Sequence, residues 1–344
     1  EVPDLADERL LAASSDHCVE LARACERAAR AQRAVTDVEQ VVYQDAWLEV
    51  ALANSASFAG AFTASSAWMY CTAFAGEVGE RMSGFGLDIA RAPQGLDPER
   101  IGREAGERAA LLAGATKPPS RRCAVVFDAF AAAALVAAVG EMLSAEQVER
   151  GRSPFADKLG AEVASSSLTI ADDATLPDGP ASAPFDGEGS PTGRTELIAG
   201  GRLLTFVHDV RTARRAGTNT TANALRSSYR TPPVVGVSNL VVAGEQVPFA
   251  QLLATLGDGF YITDLSGLHS GVNPVSGTFS VGASGVVVRG GELAEPAREM
   301  TVAGSLTDLL RDVQALGDDR RWVPLAGSVS TPSLLVDGIT VSGR

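Results

Sequence analysis

The chain has 344 residues, enough for two domains, and its 45% hydrophobic and 21% charged residues are the balance of a globular protein with a sizeable core. A formal net charge of −13 argues against nucleic-acid binding by phosphate neutralisation, which needs clustered Lys and Arg, and only residues 211–215 form such a group. Aromatic residues make up 6% against 35 glycines, so packing must rest on small side chains and close backbone approach.

Residues 14–33 repeat apolar or small side chains at Cys18, Leu21, Ala22, Cys25, Ala28 and Ala29, the spacing of one helix face. Residues 35–52 approach alternation and read as strands, closed by a turn at Asn54-Ser55. Between residues 57 and 79 the aromatics Phe58, Phe62, Trp68, Tyr70 and Phe74 fall on even positions, and period two predicts two more strands. Residues 97–112 carry Glu and Arg at helical spacing, end at Gly114 and are stopped by Pro118-Pro119. Residues 123–127 read as a buried strand and 129–143 as an Ala-rich helix whose only acid is Glu141. Residues 144–150 extend it or form a second helix. Asp, Pro, Gly and Ser dominate residues 171–195, which predicts a long irregular loop of the kind that is usually functional or mobile.

Strands follow at 195–198 and 202–207, joined by a hairpin at Ala199-Gly200-Gly201. Residues 211–216 read as a short helix, 217–231 as a polar stretch, 232–242 as one long strand, and 248–255 as a helix with Pro248 in its first turn. Residues 257–296 alternate short β-forming runs (260–263, 278–281, 286–288) with turns, ending in a hairpin at Gly290-Gly291 and leading into a helix. A helix is expected at 306–316, ended by Gly317, and the tail 333–342 reads as two short strands around a type I′ turn at Asp337-Gly338. The fold class is α+β with two domains: residues 1–119 of mixed helix and antiparallel sheet, and residues 120–344, rich in strands.

Cys18 and Cys25 are two turns apart on one helix, about 10 Å between Cα atoms, too far for a disulfide, and all four cysteines read as reduced core residues. No apolar run of membrane-spanning length and no secretory start is visible, so the cytoplasm is the expected location. Glu1-Val2-Pro3-Asp4 does not look like a natural start, from which a preceding segment is expected.

Few residues are placed for chemistry. His17, His208 and His269 form no pair at i+2 or i+4; His208-Asp209 could hold a metal with Asp264 or His269, against the plainer reading of an ordinary surface histidine. His269, Ser270 and Asp264 have the residue types of a nucleophilic triad, but a triad is defined by geometry that adjacency does not supply. The plainer reading is a loop shaped by Ser and Asn bonds to backbone, with His269 contacting a partner or peptide. Asp186 and Glu188 in Pro184-Phe185-Asp186-Gly187-Glu188-Gly189 could serve acid–base work or Ca²⁺, although a tight turn is the simpler use. Gly282-Ala283-Ser284-Gly285 and Gly84-Phe85-Gly86 lack phosphate-loop spacing. Arg214, Arg215, Arg226 and Arg230 could grip a carboxylate or form a solvated basic face.

Leu268-His269-Ser270-Gly271-Val272-Asn273-Pro274-Val275-Ser276-Gly277-Thr278-Phe279-Ser280-Val281-Gly282-Ala283-Ser284-Gly285, followed by Gly291-Glu292-Leu293 and Glu299-Met300-Thr301-Val302-Ala303-Gly304-Ser305-Leu306, resembles the C-terminal signature of the TldD/PmbA (peptidase U62-like) family of metallopeptidase-related proteins, nearest its PmbA or TldE branch. Weaker likeness continues through Ser153-Pro154-Phe155, Pro184–Gly189 and Ala326-Gly327-Ser328-Val329; it covers most of residues 120–344 and is extended from there to 1–119. The resemblance implies the two-domain fold of that family and an N-terminal segment completing the first domain. It also implies that the catalytic TldD branch carries a zinc helix with His-Glu-x-x-x-His and a late cysteine ligand. Here those positions hold Val136 and Glu141 for the histidines, Ala137 for the glutamate and Ala326 for the cysteine. Val and Ala neither bind zinc nor move a proton. The implied role is that of a non-catalytic TldE-like subunit, with no metal or catalytic residue of its own and zinc in a TldD-like partner, together cleaving an extended peptide or peptide-like amide. His269, Ser270, Asn273 and Arg230 are the expected substrate or partner contacts. A self-sufficient hydrolase with another site, or a stand-alone peptide-binding or regulatory protein, are the alternatives.

Overall fold

The structure is a computed structural model and describes residues 4–77 and 79–344. The expectation about the opening residues lies partly outside these, since residues 1–3 are not described. The architecture is α+β. Residues before 113 form a three-stranded antiparallel sheet, β1 (Val35–Ala53), β2 (Ala59–Ala75) and β3 (Met82–Ala90), covered on one face by α1 (Ser15–Arg30) and α2 (Pro98–Leu111). Both helices start on the caps their sequences offer: Ser14 accepts from the amide of His17, and Asp97 from that of Arg100 with Pro98 behind it. Odd residues of β2 from Ser65 to Ala75 are buried against the helices, Cys71 among them, and even ones are half-buried on the opposite face. Gly84 and Gly86 let β3 touch α2 directly: a β-carbon on Gly84 would sit 2.1 Å from the Ala109 nitrogen, and one on Gly86 2.2 Å from the Ile101 oxygen.

The larger part comprises β4 (Arg121–Phe127), α3 (Ala129–Met142), α4 (Ala145–Glu149), β5 (Thr169–Asp173), β6 (Arg194–Ala199), β7 (Arg202–Leu203), α5 (Val210–Ala216), β8 (Ala224–Leu225), β9 (Val234–Val235) and β10 (Asn239–Ala243). It continues with β11 (Gln246–Val247), α6 (Phe249–Leu256), β12 (Gly259–Ser266), α7 (Leu268–Gly271), β13 (Val272–Asn273), β14 (Thr278–Arg289), β15 (Glu292–Ser305), α8 (Leu306–Arg311), β16 (Val313–Gly317), β17 (Arg321–Val323), β18 (Ser328–Thr331) and β19 (Leu334–Ser342). β4, β12, β14, β15 and β19 pair in that order and β19 returns to β4, so these strands close a small barrel. A six-stranded sheet of order β17-β18-β10-β5-β6-β7 stands beside it. α3 lies between the two, with Leu135, Val136, Val139 and Met142 each at most 1% exposed. Burial of each contributes up to about 1.5–3 kcal/mol, which is why this helix is apolar almost all round.

Several expected boundaries move. Residues 35–52 form one strand rather than several, and one 17-residue strand, β2, stands where two were expected. The runs 278–281 and 286–288 fuse into β14, and the hairpin at Gly290-Gly291 leads into β15, not a helix. The helix expected at 306–316 stops at Arg311 because Val313–Gly317 pairs with β19, and the tail is one strand with an irregularity between Val336 and Ile339 instead of a hairpin. The long strand at 232–242 is broken between β9 and β10, where the Gly236 amide donates to the Asn223 carbonyl and the Ser238 amide to the Asp172 carboxylate. The loop expected from residue 171 begins inside β5, where Asp172 and Asp173 are buried. All four cysteines are free; Cys25 and Cys71 are fully buried neighbours, whereas Cys18 and Cys123 are only half-buried. Among the described residues no helix is long and apolar enough to cross a membrane.

Candidate functional site

The pairing of β4 with β12 ends at Phe127 and Ile262, where the Asp128 amide still donates to the Ile262 carbonyl at 2.9 Å. Asp128 then caps α3, its carboxylate accepting from the Ala131 amide at 2.7 Å. Past Ile262, β12 keeps β14 on one side and loses β4 on the other. β3 is an edge strand of its sheet. A cavity of about 170 Å³ opens between these two incomplete edges. Ser83, Gly84 and Phe85 line it from β3, Thr263, Asp264 and Leu265 from β12, and Phe130, Ala131 and Ala134 from the start of α3. An aromatic row leads to it along the half-buried face of β2 and β3: Trp68 stacks on Tyr70 at 5.6 Å, Tyr70 is 6.4 Å from Phe85, and Phe85 meets Phe130 edge-on at 5.0 Å.

Charge holds the two sides together. Arg108 of α2 forms an ion pair with Asp128 and donates to the Thr263 carbonyl; the two side chains are 16% and 2% exposed. Burial pushes the Asp128 carboxyl above the usual carboxylate range, and Arg108 pulls it back. Phe130 lies between two guanidinium groups, Arg108 at 4.9 Å and Arg321 at 5.1 Å from its ring centre. Arg321 in turn pairs with Glu104 of α2 at 2.7 Å, a carboxyl that burial raises and Arg321 lowers.

Two family profiles match, the PmbA/TldA metallopeptidase central domain over residues 8–113 and the PmbA/TldA metallopeptidase C-terminal domain over residues 120–343. The chain belongs to the PmbA/TldD metallopeptidase family. It is 28% identical to the metalloprotease PmbA of Escherichia coli O157:H7 over 342 residues, 98% of this chain and 73% of that protein. A metalloprotease of Archaeoglobus fulgidus is 34% identical over 205 residues, 59% of this chain and 47% of that protein. Among solved structures, a Thermotoga maritima protein described as a candidate modulator of DNA gyrase superposes with a TM-score of 0.93 at 30% identity, covering 99% of this chain and 78% of that one. TldE from Thermococcus kodakarensis shares the fold, with a TM-score of 0.89 at 22% identity over 100% of this chain and 79% of that one.

A PmbA/TldD metallopeptidase implies zinc, and the side chains at the positions matched to its ligands do not fit one. Val136 is 1% and Ala137 9% exposed, with no ligating atom on either. Glu141 is exposed on the open stripe of α3, which otherwise shows Ala134 and Ala138. Ala326 sits on the loop between β17 and β18 in the left-handed region, φ +48°. Among the described residues no three His, Cys, Asp or Glu side chains gather as a metal cluster, so His208, Asp209, Asp264 and His269 do not form one.

His269 and Ser270 lie on α7 and are exposed, next to Leu268, which lines the cavity. Ser270 bonds the Gly267 carbonyl at 3.3 Å, and no bond joins it to His269 or Asp264, so these three do not make a triad. Asn273 accepts from the Val275 and Ser276 amides at 3.0 and 3.3 Å and shapes its own turn. Arg230 belongs to a separate loop, stacked 5.1 Å from the ring centre of exposed Tyr229. Asp186 takes amides from Glu188, Ser190 and Ala224, closing a turn and tying it to β8, and Glu188 takes that of Val210, tying the same turn to α5. Asp209 caps α5 reciprocally with Thr212. Sequence spacing did not single out Arg108, Asp128 or Phe130; Asp128 before an apolar run was a cap signal, but nothing local marks Arg108 as its partner.

Proposed function

We propose that this chain is a TldE-like, non-catalytic subunit that joins a zinc-bearing TldD-like subunit to form a cytoplasmic metallopeptidase acting on peptides or peptide-like amides. The observation that carries the reading is that Val136, Ala137 and Glu141 on α3 and Ala326, at the positions the resemblance assigns to the zinc site, offer one carboxylate and no imidazole or thiolate in a chain that keeps the family's fold. This chain contributes binding. Its barrel strands are paired all round, but the outer edge of β3 and the end of β12 carry backbone groups available to an extended peptide by strand addition. His269 and Ser270, which follow the cavity-lining Leu268, are assigned together with Asn273 and Arg230 as contacts to substrate or to the second subunit. Substrates in reach include an unfolded peptide, a ribosomally made precursor or an amide intermediate of natural-product maturation.

Co-expression with a gene product bearing His-Glu-x-x-x-His, followed by size analysis, zinc quantitation and peptidase assay, tests the reading. A co-purifying pair with activity and zinc assigned to the partner is expected. Stoichiometric zinc and peptidase activity in the isolated chain would instead identify a self-sufficient hydrolase, and consistent purification without such a subunit a stand-alone peptide-binding protein.

A further inference from the structure

The cavity between β3 and β12 is too small for a folded partner and suited to one side chain. We propose that it receives the first residue of a peptide bearing an aliphatic or aromatic side chain, with Asp264 at its mouth binding the free amino terminus; this rests on the peptide-binding reading above.

Three features of the site point to that occupant. Most of the wall is apolar, with Phe130, Ala134, Leu265 and Leu268 in it and Arg108 and Asp264 as its charged side chains, and an apolar cavity of about 150 Å³ suffices to hold a benzene ring, against about 170 Å³ here. The two carboxylates near the cavity have different commitments. Asp128 is held by Arg108 and the Ala131 amide, whereas Asp264 has no side-chain hydrogen bond or ion pair among the described residues, only the adjacent Leu265 amide and the more distant charge of Arg108. Two carboxylates, Asp128 and Asp264, against the one guanidinium of Arg108 leave an excess of negative charge at the mouth, which favours an ammonium group over a carboxylate terminus. Finally, Ser83–Phe85 on β3 and the end of β12 flank the pocket with strand edges that can pair with the residues after the first. Because successive side chains of an extended chain point to opposite faces, only one of two neighbours can enter.

The test uses the full chain and hexapeptides labelled at the carboxyl end, read by fluorescence anisotropy: Phe at position one, Ala at position one, and the Phe peptide acetylated at its amino terminus. The Phe peptide is expected to bind about 10- to 100-fold tighter than the Ala peptide. Acetylation is expected to weaken it by roughly fivefold or more. Ala134→Phe, which fills the pocket from α3, should erase the Phe-to-Ala ratio, and Leu268→Trp serves as a second plug from the opposite wall should the first not fold. Asp264→Asn should erase the effect of acetylation and leave the Phe-to-Ala ratio in place. Equal binding of the Phe and Ala peptides, a preference that survives a folded plug variant, or indifference to acetylation overturns the proposal. Peptide binding without these preferences rejects the pocket assignment alone. Failure to join a zinc-bearing subunit rejects the reading of the protein as half of a peptidase, while the ratios measured on the chain by itself still decide the pocket.

Discussion

Replacing Arg108 by Met tests how the two sides of the cleft are held. The substitution keeps most of the aliphatic bulk but strips Asp128, 2% exposed, of its counter-charge and leaves it the Ala131 amide. Breaking a buried pair from one side costs about 3–5 kcal/mol, because a carboxylate is left without compensation. For a unit of this size that corresponds to a fall in Tm of about 10 °C. Asp128→Asn keeps the cap on α3 and leaves Arg108, 16% exposed, with the Thr263 carbonyl and the Phe130 ring, so it should cost less, about 1–3 kcal/mol. The double substitution should cost less than the sum by about 1–3 kcal/mol. Burial already raises the folded Asp128 carboxyl above the unfolded value of 3.8, and loss of Arg108 raises it further. A raised carboxyl stabilises the fold in its protonated form and loses that contribution as pH climbs through the folded pKa. Arg108→Met should therefore be hurt most at pH 8 and recover towards pH 5. Urea denaturation of the four proteins at both pH values reads all of this; additive costs, or a penalty independent of pH, would refute the role given to the pair.

Asp172 is a second buried carboxyl, pushed to about 6 by burial although Asn223 and Ser238 donate to it. Against an unfolded value of 3.8 this is worth on the order of 3 kcal/mol, present below pH 4 and lost as pH rises through 6, so wild type should gain stability relative to Asp172→Asn as pH falls from 7 to 4; a flat difference in urea midpoints counts against it. Gly86→Ala drives a methyl to within 2.2 Å of the Ile101 carbonyl and should cost about 1–3 kcal/mol or more by forcing β3 off α2, visible as a lower urea midpoint with unchanged m-value. Asp209→Ala removes the reciprocal cap of α5 and should cost about 0.5–2 kcal/mol by the same measurement, with hydrogen exchange accelerated in Val210–Ala216.

Helices were legible wherever their signals were local. α1 declares itself through face periodicity, α2 through its Glu and Arg spacing and the Gly114 and Pro118-Pro119 stop, and α3 as an Ala-rich run after a strand, and the structure places them within a few residues of the expected bounds. Strand lengths were less legible: β1 and β2 carry no local mark of their full span, and the glycines inside β14 resemble turn signals. In β14 the glycines serve crowding: a β-carbon on Gly285 would lie 2.1 Å from the Tyr261 oxygen and one on Gly282 2.3 Å from Ser266 Oγ, so a strand in a closed small barrel needs them without turning. Val313–Gly317 and Leu334–Ser342 owe their state to pairing with each other and with β4, a nonlocal term that a window of residues does not contain. The cleft was illegible for the same reason. Ser83, Arg108, Asp128 and Asp264 come from four elements, and only the packing of one domain on the other brings them to one place.

In a zinc hydrolase the metal's own bonds help fix the helix that carries its ligands. α3 has no such tie among the described side chains and is held by other means: Asp128 caps it and pairs with Arg108, Phe130 is gripped between two guanidinium groups, and the faces bearing Leu135, Val136, Val139 and Met142 are buried between barrel and sheet. These restraints all act on its first turn or its core faces, leaving the stripe of Ala134, Ala138 and Glu141 open beside the cleft. The place of α3 is therefore fixed without metal bonds. Such a fixed cleft suits the peptide-binding role proposed above, since ordering a peptide against a preformed edge costs less than ordering both.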